Sequence, residues 1–167
     1  LADDVWLEPE ELPVLFSERS AQLQDRFGGT PSRAAFVLRP FFLYLDRCTT
    51  EQHRLFLGGL IPEVAYLARR PFAGGGYEHY NFNSQVNQEQ VVSRMRHQLV
   101  PFALIPSKDA DLERGADVPP LVAAYFHGRY ALLADVKMDE DSRILILVDT
   151  SLSPVSRDQE TGWPCFR

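Results

Sequence analysis

Four residues near the carboxyl end of the chain have the types that a cysteine peptidase needs. They are His127, Asp149, Gln159 and Cys165. A cysteine nucleophile requires an imidazole that holds it as a thiolate, a carboxylate that orients the imidazole, and a donor for the oxyanion. We interpret His127 as lying just before one strand of a hairpin and Asp149 as ending the next. Antiparallel pairing of those strands could bring the two side chains together.

The order of these residues resembles the SUMO-protease family, the papain-like cysteine peptidases that act on ubiquitin-like proteins. In that family a His opens a strand, an Asp followed by Ser closes the partner strand, and a Gln lies six positions before a Cys. Here Asp149 leads into Thr150-Ser151, and Gln159 precedes Cys165 by that interval. The resemblance covers about the last 45 residues. It implies a triad of Cys165, His127 and Asp149.

The sequence also departs from the pattern of that family. Gly128 stands where the family has Trp, and Pro164 and Phe166 flank the cysteine in place of Asp and Gly. Only nine residues separate Asp149 from Gln159, where the family places a helix and a strand. Our leading hypothesis is therefore a non-catalytic domain that binds another macromolecule or belongs to a larger assembly. The cysteine peptidase is the alternative.

An aromatic segment after residue 70 is the candidate binding surface. Its glycines, 74–76, lack the preceding strand and the following Gly-Lys-Ser/Thr of a phosphate-binding loop, and Glu78 would repel an anion. Exposed aromatic side chains offer a large contact area at a low entropic cost. The candidate binding residues are Phe72, Tyr77, His79, Tyr80 and Phe82. Docking of this segment onto the chain's own core is the other role open to it. For the whole domain, a pocket that binds a small molecule between the helical half and the sheet is a third possible function.

The Cys and His residues do not have the spacing of a zinc site, so we predict no metal and no cofactor. Two cysteines, Cys48 and Cys165, allow one disulfide at most, and the sequence leaves open whether they pair. Because such a low cysteine content is typical of a reducing compartment, we expect an intracellular protein, cytoplasmic rather than secreted.

The charge and hydropathy of the chain bear on its partners. The net charge of −6 argues against a nucleic-acid-binding surface, which needs clustered Lys and Arg. No segment approaches the ~20 apolar residues that span a bilayer. We therefore expect a soluble protein whose partner is another protein and not a membrane.

The elements that must position these residues indicate an α+β fold. The 167 residues, 45% of them hydrophobic, fit a single globular domain over 1–167. We predict a helical N-terminal half packed against a small antiparallel β-sheet in the C-terminal half. A start at Leu1 rather than Met is compatible with a fragment of a longer chain.

Caps, breakers and apolar periodicity divide the chain into predicted elements. The predicted helices cover residues 13–27, 34–45 with a break at Arg39, 51–57, 62–68 and 84–99. The alternation of apolar residues keeps a strand open as an alternative over 41–45. The predicted strands cover 121–126, 130–136 and 143–148, with a polar turn at 138–141.

Overall fold

The computed structural model describes residues 36–59, 62–75, 84–108 and 118–167, all of which belong to the unit Arg33–Arg167. The helices are α1 (Arg39–Cys48), α2 (Pro62–Ala68), α3 (Gln85–Arg96) and α4 (Pro120–His127). The strands are β1 (Leu55–Leu57), β2 (Phe102–Ser107), β3 (Tyr130–Lys137), β4 (Arg143–Asp149), β5 (Ser156–Arg157) and β6 (Pro164–Cys165). Among the described residues, no helix has the length and apolar character needed to cross a membrane.

Strands β1 to β4 form one sheet in the order β1-β2-β4-β3. Strand β1 runs parallel to β2, while β2 and β3 both run antiparallel to β4. The sheet is therefore mixed, and the prediction of an antiparallel sheet is wrong at its β1 edge. Nearly every residue of β2 and β4 is buried, whichever way its side chain points. Both faces of the sheet must consequently be covered.

Helices α3 and α4 cover one face of the sheet. Their inward residues belong to a buried cluster with alternate residues of β2 and β4. The members from the helices and central strands are Val91, Val92, Met95, Ala103, Ile105, Val122, Phe126, Leu145 and Leu147. Gln88, itself buried, accepts a hydrogen bond from the backbone N–H of Leu121 at 3.0 Å, which ties the start of α4 to α3.

Helix α1 and the carboxyl end of the chain pack on the opposite face, the one to which Phe102 of β2 points. The ring of Phe102 meets Tyr44 at 5.5 Å and Phe166 at 5.6 Å between centroids. Tyr44 also contacts Trp163 edge-on at 5.1 Å, and its hydroxyl donates to the carbonyl of Pro164. These aromatic contacts join the last residues of the chain to α1 and to the sheet.

Several predicted elements are confirmed. Helix α3 begins after Ser84, whose hydroxyl oxygen accepts from the N–H of Asn87 at 3.2 Å, as an N-cap residue does. Helix α2 and the β3–β4 hairpin lie where the sequence places them. Helix α1 begins at the expected break, with Pro40 in its first turn, so the strand alternative for 41–45 is wrong. The predicted helix over 13–27 lies outside the described residues.

The prediction of a helix over 51–57 is wrong, because Leu55–Leu57 form strand β1. All three residues are buried, and they pair in parallel with β2. On the other edge of β1, the N–H of Leu55 donates to the carbonyl of Pro71, and the N–H of Ala73 donates back to Leu55. The tertiary partners on both edges override the local helix-start signal of Thr49 and Thr50.

The prediction of a strand over 121–126 is also wrong, because Pro120–His127 form helix α4. The φ angle of proline is fixed at a helical value. Its missing N–H costs nothing in the first turn of a helix, because backbone N–H groups there have no partner within the helix. The buried Val122 and Phe126 are four residues apart and therefore lie on one helical face. A short apolar run has no periodicity that separates a buried strand from a buried helix, and this one was misassigned for that reason.

Candidate functional site

The predicted catalytic residue Asp149 is a buried carboxylate at the end of β4, with 1% of its surface exposed. Its Oδ2 accepts from Nε and Nη2 of Arg129 at 2.8 and 2.7 Å. Its Oδ1 accepts from the backbone N–H and the hydroxyl of Ser151 at 2.9 and 2.7 Å. Each oxygen thus has two donors, and no imidazole is among the described partners of Asp149.

The register of the β3–β4 hairpin explains why an arginine reaches this carboxylate. Tyr130 lies directly opposite Asp149, and Arg129 is the residue before it. The N–H of Thr150 donates to the carbonyl of Arg129 at 2.9 Å, which holds the start of the hairpin closed. Hydrogen bonding to Asp149 raises the pKa of Arg129. A guanidinium stays protonated and has no acceptor, so the group facing Asp149 cannot serve as a general base.

His127 and Gln159 lie elsewhere than the resemblance implies. His127 is an exposed residue in the last turn of α4, because a helix replaces the predicted strand before it. Gln159 is an exposed residue of the turn between β5 and β6. The described contacts of Asp149 do not include His127. The described partners of Asp149 are Arg129 and Ser151, and that of Cys165 is Cys48.

Cys165 forms a disulfide with Cys48, the last residue of α1. The two Cα atoms are 4.3 Å apart, and both side chains are buried. The N–H of Phe166 donates to the carbonyl of Cys48 at 2.8 Å and so fixes the same junction. The pairing that the sequence left open is thus present. A disulfide sulfur carries no thiolate, so Cys165 is not a nucleophile in this state.

Asp158 lies beside the disulfide, with Oδ1 3.8 Å from the sulfur of Cys48. Its carboxylate accepts from Nε of Arg47 at 2.9 Å and from the N–H of Thr161 at 3.0 Å. The hydrogen bond from Arg47 is the main cause that lowers the pKa of Asp158 to about 2. Ligand-type atoms of Cys48, Asp158 and Cys165 lie within 4.8 Å of one another. Because bonded sulfurs are poor metal ligands, the trio is a structural junction and not a metal site in this state.

The predicted binding surface falls mostly outside the described residues, which include Phe72 but not Tyr77, His79, Tyr80 or Phe82. Phe72 is half-buried and forms an isolated parallel bridge with Leu55 at the edge of the sheet. Its carbonyl accepts from Nη1 of Arg54 at 2.9 Å. The backbone of Phe72 therefore extends the sheet edge beside β1.

A groove of about 380 Å³ lies between α3 and α4, on the outer side of the two helices. It is lined by Glu89, Val92 and Arg96 of α3 and by Leu121, Ala124 and Tyr125 of α4. The side chains of Val92, Leu121 and Ala124 are the apolar part of the lining, and Leu121 is 38% exposed. The two charged side chains of the lining both come from α3.

The two helices run in the same direction along this groove. Gln88 near the start of α3 contacts Leu121 near the start of α4, and Arg96 in the last turn of α3 lines the groove with Tyr125. The phenol of Tyr125 lies under the guanidinium of Arg129, 5.4 Å from the ring centre, and burial raises its pKa. The basic end of the groove thus adjoins the Arg129–Asp149 ion pair.

The sequence prediction missed this groove because it assigned α4 to a strand. The signal was present, since Pro119-Pro120 is typical of a helix start and Val122 and Phe126 have helical spacing. The polar position Gln88 gave no such signal, because its role as a cap for α4 depends on a residue 33 positions away. The chain matches no protein-family model, no curated protein and no solved structure.

The Arg129–Asp149 ion pair should contribute much more stability than an exposed pair in the same hairpin. Arg129→Met leaves a buried carboxylate with donors on one oxygen only, and we expect a loss of about 2–3 kcal/mol in the free energy of unfolding. The matched control is Arg143→Met, whose pair with Asp135 is partly exposed and should lose less than about 1 kcal/mol. Urea unfolding measures both, and equal losses would contradict the assigned role of Arg129.

Cys165 should react as an ordinary thiol once the disulfide is reduced. After the reductant is removed, its alkylation by limiting iodoacetamide should rise only at alkaline pH, since burial and the neighbouring Asp158 carboxylate disfavour the thiolate, and it should be unchanged in His127→Ala. Peptide mass spectrometry reads the rate, with Cys48 as the internal comparison. Rapid labelling of Cys165 near pH ~6 that slows in His127→Ala would instead reveal an activated thiolate and revive the peptidase alternative.

Proposed function

We propose that this chain is a non-catalytic domain that binds another protein through the groove between α3 and α4. The observation that carries the proposal is the groove itself. It is concave, part of its lining is apolar, and Leu121 of that lining remains partly exposed although the neighbouring core residues Val122 and Phe126 are fully buried. Apolar surface that is rimmed by charged side chains is typical of protein-interaction sites.

The charges around the groove favour a protein over a nucleic acid. Arg96 is the only basic residue that the described part of the chain contributes to the lining, and Glu89 lies at the other end. A phosphate backbone requires several Lys and Arg side chains along its path, and the chain as a whole carries a net charge of −6. A surface with one charge of each sign suits a polypeptide that carries both.

The contacts of the predicted triad support a non-catalytic role. Arg129 forms an ion pair with the carboxylate of Asp149, and Cys165 forms a disulfide with Cys48. The peptidase alternative requires a free thiolate at Cys165 and an imidazole that bridges it to Asp149. No described contact favours that arrangement. The aromatic segment of residues 72–82 stays a sequence-based prediction for a second contact surface.

The disulfide also bears on the compartment in which the domain works. We predicted a cytoplasmic protein because the chain has so few cysteines. Pairing of both of them, Cys48 and Cys165, weighs against that prediction, since structural disulfides persist mainly in oxidising compartments. A search for the partner should therefore include secreted proteins as well as intracellular ones.

A large side chain in the groove should weaken peptide binding without unfolding the domain. We would select a phage-displayed random peptide library on the full chain and measure the selected peptides against Ala124→Arg. Ala124 is an exposed residue of the lining, so a large charged side chain there should block the site and weaken binding at least about tenfold. The matched control is Gln90→Arg, an exposed position of α3 outside the lining, which should bind as the wild type does.

The selection also has results that contradict the proposal. If the library yields no peptide that binds the full chain, the domain has no peptide-binding groove. If selected peptides bind Ala124→Arg and the wild type equally well, they bind a different surface, and the groove is not the site. Circular dichroism of both variants verifies that each retains the wild-type fold.

A further inference from the structure

We infer that the groove between α3 and α4 takes an amphipathic helix of a partner protein that lies antiparallel to both helices. This partner helix carries an acidic residue in its first turn and a basic residue about two turns later, with apolar residues between them. The inference rests on the proposed function and specifies its partner. It follows from the charges at the two ends of the groove and from the direction of its walls.

The two charged side chains of the lining stand at opposite ends of the groove. Glu89 and Arg96 are seven residues apart on α3, a separation of about 10 Å along the helix axis. Val92 lies between them, about one helical turn from each. A ligand that fits along the groove therefore meets a carboxylate at one end, apolar side chains in the middle and a guanidinium at the other end.

Neither of these charges has an ion-pair partner among the residues that the structure describes. Glu89 accepts one hydrogen bond from the neutral amide of Gln85. The neighbouring arginines have partners within the protein, since Arg94 donates to the carbonyl of Gly74 and Arg129 forms an ion pair with Asp149. Within the described part of the chain, no ion pair of Arg96 or Glu89 therefore competes with a charged ligand.

The direction of the groove walls selects an antiparallel partner helix. Helices α3 and α4 both start at the Glu89 end, so their carboxyl ends, where the helix dipoles are negative, lie together at the Arg96 end. An antiparallel helix brings its positive amino end to these carboxyl ends. Its own first turn favours an acidic residue, which meets Arg96, and its last turn favours a basic residue, which meets Glu89.

The shape of the site also suits a helix. Both walls are helices, and a third helix can lay its ridge of apolar side chains between them, as amphipathic peptides do in helix-lined grooves. The apolar floor formed by Val92, Leu121 and Ala124 would receive residues three and four positions after the acidic residue. The site is small, so we expect a transient interaction rather than a permanent assembly.

Two synthetic peptides of identical composition test this polarity. Both are 14 residues long, acetylated and amidated, with the same apolar stripe. The matched peptide has Glu at position 3 and Lys at position 10, and the reversed peptide has Lys at position 3 and Glu at position 10. We expect the full chain to bind the matched peptide about tenfold more tightly, as measured by fluorescence anisotropy.

Charge reversal in the protein should invert this preference. In the double variant Glu89→Lys/Arg96→Glu, the reversed peptide should become the tighter ligand, a result that neither misfolding nor a difference in peptide helicity produces. The matched control is Gln90→Lys/Ser93→Glu, which adds one charge of each sign to exposed positions of α3 outside the lining. It should retain the wild-type preference.

The remaining outcomes separate this inference from the proposed function. If both peptides bind equally, or neither binds while library-selected peptides still require the groove, the inferred partner helix is wrong and the protein-binding groove stands. If neither peptide binds and the library also yields no peptide that depends on Ala124, both are overturned. A preference for the matched peptide that the double variant does not invert would overturn the assigned contacts to Glu89 and Arg96.

Discussion

The burial of strands β2 and β4 on both faces is the constraint on which the rest of the described structure depends. A strand buried on both sides needs a packed layer above and below, because its apolar side chains alternate in direction. Helices α3 and α4 form one layer, while α1 and the last residues of the chain form the other. Because two parallel helices share one face, a seam remains between them on the outer side. That seam is the groove that we propose as the binding site.

The second constraint is the buried carboxylate of Asp149. A buried charge without donors is strongly destabilising, and this carboxylate therefore needs a complete set of hydrogen bonds. Arg129 and Ser151 supply four donors from within a few residues of the β3–β4 hairpin. The arrangement stabilises the hairpin and also anchors the basic end of the groove through Tyr125. The same residues that satisfy Asp149 leave it no role in orienting an imidazole.

Caps, turns and apolar periodicity predicted those helices and strands that are determined mainly by residues close together in the sequence. Apolar periodicity after a cap at Asn83 or Ser84 predicted α3, for which the structure shows Ser84 as the cap, and the polar turn predicted the β3–β4 hairpin. Prediction failed where distant residues decide the structure. Strand β1 forms because β2 pairs with it. The sequence of α4 is also typical of a strand, and the segment is helical because the helix buries Val122 and Phe126 on one face. The disulfide could not be predicted for the same reason, since Cys48 lies 117 positions from Cys165.

Binding of a polypeptide in the groove between α3 and α4 is tested most directly by amide chemical shifts. A peptide selected on the full chain would be titrated into the ¹⁵N-labelled protein, and the shifts followed by NMR. The largest changes should lie along the groove, at Glu89, Val92, Arg96, Ala124 and Tyr125. Changes that cluster instead along β3 or around the Cys48–Cys165 junction would contradict it, because the peptide would then occupy a surface other than the groove.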